Sequence, residues 1–164
     1  MNHIKKLALT GVLTALAVAM SPMSIPIGAA RCFPVQHMVN IIAGSLLGPW
    51  YAVAAAFVTS AARNAMGTGT LLAFPGSMIG ALLAGLAAKY SDKLLPVCAG
   101  ELVGTGVLGA LAAYPVAALI LGREAALFTF VVPFTISSAA GAVIAYVLLT
   151  VLKRAGVLNN KLFS

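Results

Sequence analysis

Charge is what this chain has least of. Charged residues make up 8% of its 164 residues, whereas a soluble domain carries about 25%. Acidic residues number three, Asp92, Glu101 and Glu124. So little polar surface cannot cover a water-soluble globule. With 62% hydrophobic residues and a mean hydropathy of +1.06, the composition is that of an all-α integral membrane protein. The apolar runs are continuous rather than alternating, which excludes an outer-membrane barrel. Cysteine is scarce too: Cys32 and Cys98 are far apart and, in the topology below, near opposite faces, which argues against an intrachain disulfide. No Walker A motif is present, so the chain does not hydrolyse ATP alone. No Ser/His/Asp arrangement points to catalysis. Cys32 and His37 lie close without further metal ligands, and His3 is isolated. The net charge of +7 lacks the aromatic-interleaved basic patch of a nucleic-acid binder. There is no tandem repeat, low-complexity tract or linker.

What is present is a series of apolar runs broken at Pro/Gly clusters and charge pairs. A span needs roughly 20 apolar residues, so the length holds about six spans in one transmembrane domain, residues 1–164. The breaks predict spans near 4–20, 35–47, 51–66, 77–90, 96–121 and 125–152. Residues 21–34 read as a loop. Spans 2 to 4 are short, so the adjoining loops are expected to dip into the bundle, where protein or a cavity must cover them. With the N-terminus in the cytoplasm, Lys5, Lys6, Lys89, Lys93, Lys153, Arg154 and Lys161 fall inside, and Arg31, Arg63 and Arg123 outside. That bias supports an even number of spans with both termini cytoplasmic. Residues 3–20 also imitate a secretory signal, with Gly28-Ala29-Ala30 imitating a cleavage site. A retained first span is the favoured reading, although the charge rule alone permits either.

The polar residues inside these runs are the candidates for function. Arg63 and Asn64 end span 3 and lead into a turn rich in Gly, Thr, Phe and Pro, including Thr70 and Phe74. A guanidinium in hydrocarbon costs about 2.5 to 3.5 kcal/mol on insertion scales, so Arg63 must face the bundle interior, water or headgroups. Gln36, His37 and Asn40 open span 2, with Gln36 and Asn40 on one face. They suit ligand binding or interhelical hydrogen bonding. Glu101 is the only carboxylate within a span, about one turn from the cytoplasmic side, with Thr105 one turn on. At that depth snorkelling or a bond to Thr105 competes with a functional role, and an Arg63–Glu101 pair is not expected. Tyr114-Pro115, then Phe128, Phe130, Phe134, Ser137 and Ser138, offer aromatics with a few hydroxyls, suited to a small flat ligand or to core packing. Gly104-Thr105-Gly106-Val107-Leu108-Gly109 matches a dinucleotide fingerprint literally, but inside an apolar span its glycines serve close helix packing. On span 1, Gly11, Ala15 and Ala19 recur every four residues and make a flat face for another helix, within the chain or on a partner.

Three segments together resemble the S components of energy-coupling factor transporters, and among them the ThiW family: residues 28–40, 47–51 and 63–80, with 101–115 adding to the likeness. Arg63 and the turn after it carry the most specific part. The resemblance implies a six-helix S-component bundle with an outward pocket, closed by the loop after span 1 and the turn after span 3. It implies uptake of hydroxyethylthiazole, a thiamine precursor, with Gln36, His37, Asn40, Arg63, Asn64, Thr70, Phe74, Tyr114, Phe134 and Ser138 as candidate ligand contacts. It also implies that Gly11, Ala15 and Ala19 dock on a transmembrane coupling protein carrying two ATPase subunits, which use the ATP, so that this chain needs no cofactor or metal. Nickel and cobalt S components place histidine directly after the initiator Met; here Asn2 intervenes.

Two other classes compete. An autonomous proton-coupled transporter would use Glu101 as its titrating acid. An intramembrane enzyme would need a nucleophile–base pair or a metal cluster, and the sequence presents neither.

Overall fold

The computed structural model describes residues 1–27, 30–122, 124 and 126–158. Gly28, Ala29, Arg123, Ala125 and Lys161, which entered the sequence reading, lie outside the described residues. The described chain forms six helices: α1 His3–Ala19, α2 Pro34–Leu47, α3 Pro49–Ala65, α4 Ala73–Tyr90, α5 Leu94–Ile120 and α6 Val131–Arg154. Their ends follow local chemistry. Asn2 caps α1 by accepting from the Lys5 N–H at 3.0 Å. Pro34 and Pro49 occupy first-turn positions, where a missing N–H costs nothing. The expected loop between α1 and α2 is instead partly ordered as a hairpin, β1 Ile25–Ile27 against β2 Ala30–Cys32, with Pro26 opposite Arg31. A two-stranded ribbon has only edge strands, and an edge tolerates Pro26.

Much of the interior is alanine, and many large apolar side chains face outward. Ala43, Ala52, Ala55, Ala56, Ala81, Ala84, Ala110, Ala113 and Ala145 are buried. Leu7, Trp50, Phe57, Leu95, Leu119, Val132 and Val147 are exposed. Only α5 and α6 are long and apolar enough to cross a membrane by length and composition, and just 39% and 28% of their apolar windows are buried. A core helix of a soluble protein would be mostly buried, so these faces belong against lipid. The centre of the bundle is α2, buried at every position from Gln36 to Ser45 and packed against α3, α4 and α6.

Glycines set how closely the helices approach. A methyl placed on Gly104 would lie 2.7 Å from the Gly80 Cα, and one on Gly109 would lie 2.5 Å from the Gly76 Cα. On α4 these partners are four residues apart; on α5 they are five apart. The match holds because 104–109 is a π-helical segment, whose repeat brings residues five apart onto one face. A second π segment, 116–120, follows Pro115, which has no N–H to donate.

Contacts show that the helices alternate in direction. His3 Nδ1 lies 2.6 Å from the Tyr51 hydroxyl, at the start of α3, and a methyl on Gly85, near the end of α4, would lie 2.3 Å from the Pro49 Cα. At the opposite end Ser21 and Thr68 share a 2.9 Å hydrogen bond between the hydroxyls that follow α1 and α3. Lys5, Lys6, Lys89, Lys93, Lys153 and Arg154 therefore belong to one end of the bundle, and Arg31 and Arg63 to the hairpin end. The three residues Gly11, Ala15 and Ala19 are all exposed, while Thr10, Leu13 and Ala17 face the other helices.

Gly85→Val would force β-branched atoms against the Pro49 backbone. We expect a loss of about 1 to 3 kcal/mol, read as a lowered thermal midpoint in detergent. Gly11→Ala, where a methyl meets nothing within 4 Å, should leave the midpoint unchanged or slightly raised. Equal midpoints for the two variants would contradict the packing described.

Candidate functional site

The turn after α3 exists to stop the helix and hold Arg63. Gly67 takes a φ of 71°, the left-handed conformation that closes a helix C-terminus. The chain then folds back so that the Thr68 and Gly69 N–H groups both donate to the Arg63 carbonyl, at 2.9 and 3.0 Å. A methyl on Gly69 would sit 3.0 Å from the Arg63 Cβ, so a side chain there would have to push the arginine aside by a few tenths of an ångström. Asn64 staples it by donating to the carbonyls of Ser60 and Thr70, at 2.9 and 3.1 Å. The small residues of the turn thus pack on the backbone of the arginine.

Beside this turn lies a cavity of about 350 Å³ at the hairpin end. Pro26 and Arg31 come from the hairpin, Phe33, Gln36 and His37 from the start of α2, and Arg63 from α3. Thr70, Leu72, Ala73, Gly76 and Ser77 line it from the turn and α4, Thr105 from the first π segment of α5, and Phe134 and Ser137 from α6. The loop and turn that bracket spans 1 and 3 therefore form part of its wall. Phe33 is fixed at its backbone, where its N–H donates to the Ser137 hydroxyl at 2.7 Å.

Arg63 is 1% exposed and has no carboxylate partner among the described residues. Its guanidinium lies over the Phe33 ring, 3.4 Å from the centroid. Nη1 donates to the Gln36 side-chain carbonyl. Gln36 in turn donates to the Ser60 hydroxyl at 3.1 Å, Ser60 to Ser77 at 3.0 Å, and Ser77 to the Ala73 carbonyl at 2.8 Å. The direction is forced: the Ser77 proton is used on Ala73, so Ser60 is the donor between the two hydroxyls.

Glu101 makes the expected bond to Thr105 and two further contacts, to His37 and Asn40, that its spacing does not indicate. It is fully buried in the bundle rather than snorkelling. Oε1 lies 2.8 Å from His37 Nδ1 and accepts from Asn40 at 3.1 Å and from Thr105 at 3.0 Å. Thr105 shares its single proton between this oxygen and the Gly76 carbonyl, which lies at 3.1 Å. Asn40 also donates to the Ser77 carbonyl at 3.1 Å, which ties this cluster to the Arg63 chain. Oε2 sits over Gly80, where an added methyl would approach to 2.6 Å. The carboxylate therefore lies directly behind His37 and Thr105, one side chain away from the cavity.

Of the sequence-derived candidates, Gln36, His37, Arg63, Thr70 and Phe134 line the cavity together. Asn40 and Asn64 lie behind that layer, holding Glu101 and the turn. Phe74 packs edge-on to Phe57 with centroids 5.6 Å apart, and Tyr114 is half-buried away from the lining. Ser138 is buried and donates to the Thr135 carbonyl, so its neighbour Ser137 takes the place on the wall. Phe128 is exposed, and Phe130 packs with Leu72 and Ala110 in a small apolar cluster. Sequence reasoning did not single out Ser77 or Thr105 as wall residues. Their signal is faint: single hydroxyls among Gly and Ala. Among the described residues no group of His, Cys, Asp and Glu could hold a metal ion, and Cys32 and Cys98 are both free and buried.

Asn64→Ala removes the two hydrogen bonds that staple the turn. We expect a loss of about 1 kcal/mol in thermal unfolding and faster proteolysis between residues 65 and 72. An unchanged midpoint and cleavage rate would mean that Gly67 and the Arg63 carbonyl hold the turn without it.

Comparison with known proteins agrees with a ligand cavity in a membrane transporter. Neither the search of curated proteins nor that of solved structures found a match. The model of the thiamine-precursor transporter protein family, ThiW, matches residues 7–155, nearly the whole chain. The protein belongs to the ThiW family of thiamine-precursor transporters.

Proposed function

We propose that this chain is the substrate-binding S component of an energy-coupling factor importer and that it binds hydroxyethylthiazole from outside the cell. The observation that carries the reading is the cavity of about 350 Å³ at the hairpin end, walled by two aromatic rings and a few polar groups. Its size is at the lower end of the range for small-molecule sites, which suits a small heteroaromatic ring. Phe33, Phe134 and Leu72 give apolar contact for the ring, and Gln36, His37, Thr70, Ser77, Thr105 and Ser137 give hydrogen bonds. Asn40 and Asn64 act behind them. The six helices cross the membrane with both termini in the cytoplasm, which puts the lysine-rich end inside and the cavity mouth outside. The exposed face of Gly11, Ala15 and Ala19 docks on a transmembrane coupling protein, whose two ATPase subunits hydrolyse the ATP. This chain carries no cofactor of its own.

The experiment is calorimetric titration of the detergent-purified chain with hydroxyethylthiazole, using thiamine and hydroxymethylpyrimidine as controls. Selective binding without ATP is expected, weakened about two- to tenfold in Phe134→Ala, since an aromatic contact contributes about 0.5 to 1.5 kcal/mol. Absence of binding to any thiamine precursor would remove the substrate assignment. Failure to co-purify with any co-expressed coupling protein would remove the S-component assignment.

One observation favours a second reading, an autonomous proton-coupled transporter. Glu101 is fully buried, bonded to His37, and one side chain from the cavity. Buried carboxylates at membrane depth mark proton pathways. That reading expects uptake into liposomes driven by a pH gradient with no partner present, abolished in Glu101→Gln. Gradient-independent behaviour of both proteins would dismiss it and leave Glu101 as the anchor of the donors on α2 and α5.

A further inference from the structure

The hydrogen bonds of Arg63 are incomplete in a specific way. Among its three nitrogens only Nη1 is engaged, by Gln36. Nε and Nη2 are buried and have no partner. These two belong to the same edge of the planar guanidinium, where their N–H bonds run parallel and form the fork that grips two oxygens at once. The Gln36 bond and the stacking on Phe33 fix the plane of the group and leave that edge buried without a hydrogen-bond partner among the described residues. Arg63 and Phe33 both line the cavity, and Arg31 lines it from the hairpin. No carboxylate does so among the described residues, and Glu101, behind His37 and Thr105, is engaged with three neighbours through Oε1.

A neutral alcohol satisfies this edge poorly. A single oxygen engages one N–H well, leaves the other, and leaves the buried charge uncompensated. A carboxylate or a phosphate ester has the two oxygens and the negative charge that the fork requires. We propose that Arg63 is an anion-binding residue of this cavity, and that the preferred cargo is a thiazole bearing a carboxylate or phosphate group rather than the free alcohol. The aromatic part of that cargo rests on the function proposed above; the anionic part rests on the guanidinium edge alone.

The test is a titration series on the full-length purified chain. The probes are hydroxyethylthiazole, its phosphate ester, a thiazole carrying a carboxymethyl group in place of the hydroxyethyl, and acetate and inorganic phosphate as ring-free controls. One of the two anionic thiazoles should bind about tenfold or more tighter than the alcohol, and which one identifies the anion. In Arg63→Lys, which keeps the charge but loses the fork, the anion-to-alcohol affinity ratio should fall by about tenfold. If that variant does not fold, the wild-type series decides by itself. Binding of the alcohol as tight as either anionic thiazole would overturn the proposal and leave the thiazole reading intact. Ring-free anions binding as tightly as anionic thiazoles would support the fork and remove the thiazole. No binding of any probe would overturn both.

Discussion

A buried guanidinium is the constraint on which the rest of this structure depends. Arg63 is the largest fully buried side chain among the described residues, and it sits at the end of a helix in a protein with very little charge. Removing such a cation from water is costly unless each face and edge of it has a partner. The protein supplies these piecemeal. An aromatic ring covers one face, an amide oxygen takes one nitrogen, and the Gly-Thr-Gly turn wraps the backbone that carries the side chain. What the described residues do not supply is a counter-ion or a partner for the fork. One edge of the guanidinium is left unmet in a residue that lines the cavity, and that edge is the ground for proposing an anionic ligand.

The second feature is how the bundle keeps its polar groups aligned. Serine, asparagine, glutamine and glutamate side chains from α2, α3, α4 and α5 meet in one continuous set of hydrogen bonds. That requires the helices to approach more closely than side-chain-bearing surfaces allow. Glycines at the α4–α5 contact permit it, and the π segment brings α5 into register with the four-residue spacing of α4. The same segment presents Thr105 both to the cavity and to Glu101. Small inward residues and large outward ones follow from the same requirement, because in lipid the large apolar groups lose nothing by facing out.

Much of the architecture was legible in the sequence, because helix ends are local events. Pro34, Pro49 and the glycines after α2 and α3 announce their positions, and each predicted span has a matching helix, although the last begins at Val131 rather than near 125. The hairpin was not legible, since three-residue strands with a proline carry no periodic signal. Part of the site was also legible: Arg63 and Gln36 stand out as polar residues in apolar runs. The Glu101–Thr105 bond is legible from a spacing of one turn, whereas the His37 and Asn40 contacts are not, because those partners lie on α2, 64 and 61 residues away in sequence. Tyr114 and Ser138 show a different limit. One residue of helix is about 100° of rotation, so a neighbouring serine or an extra residue in a π turn moves a side chain off a wall that composition alone assigns to it.

The most direct measurement is a structure of the purified chain with a bound thiazole ligand, at a resolution that orients the ring. The ligand should lie in the hairpin-end cavity, in contact with Phe33 and Phe134, with its polar group on the Nε–Nη2 edge of Arg63. A ligand bound elsewhere in the bundle, or in this cavity with that edge of Arg63 still without a partner, would contradict the account.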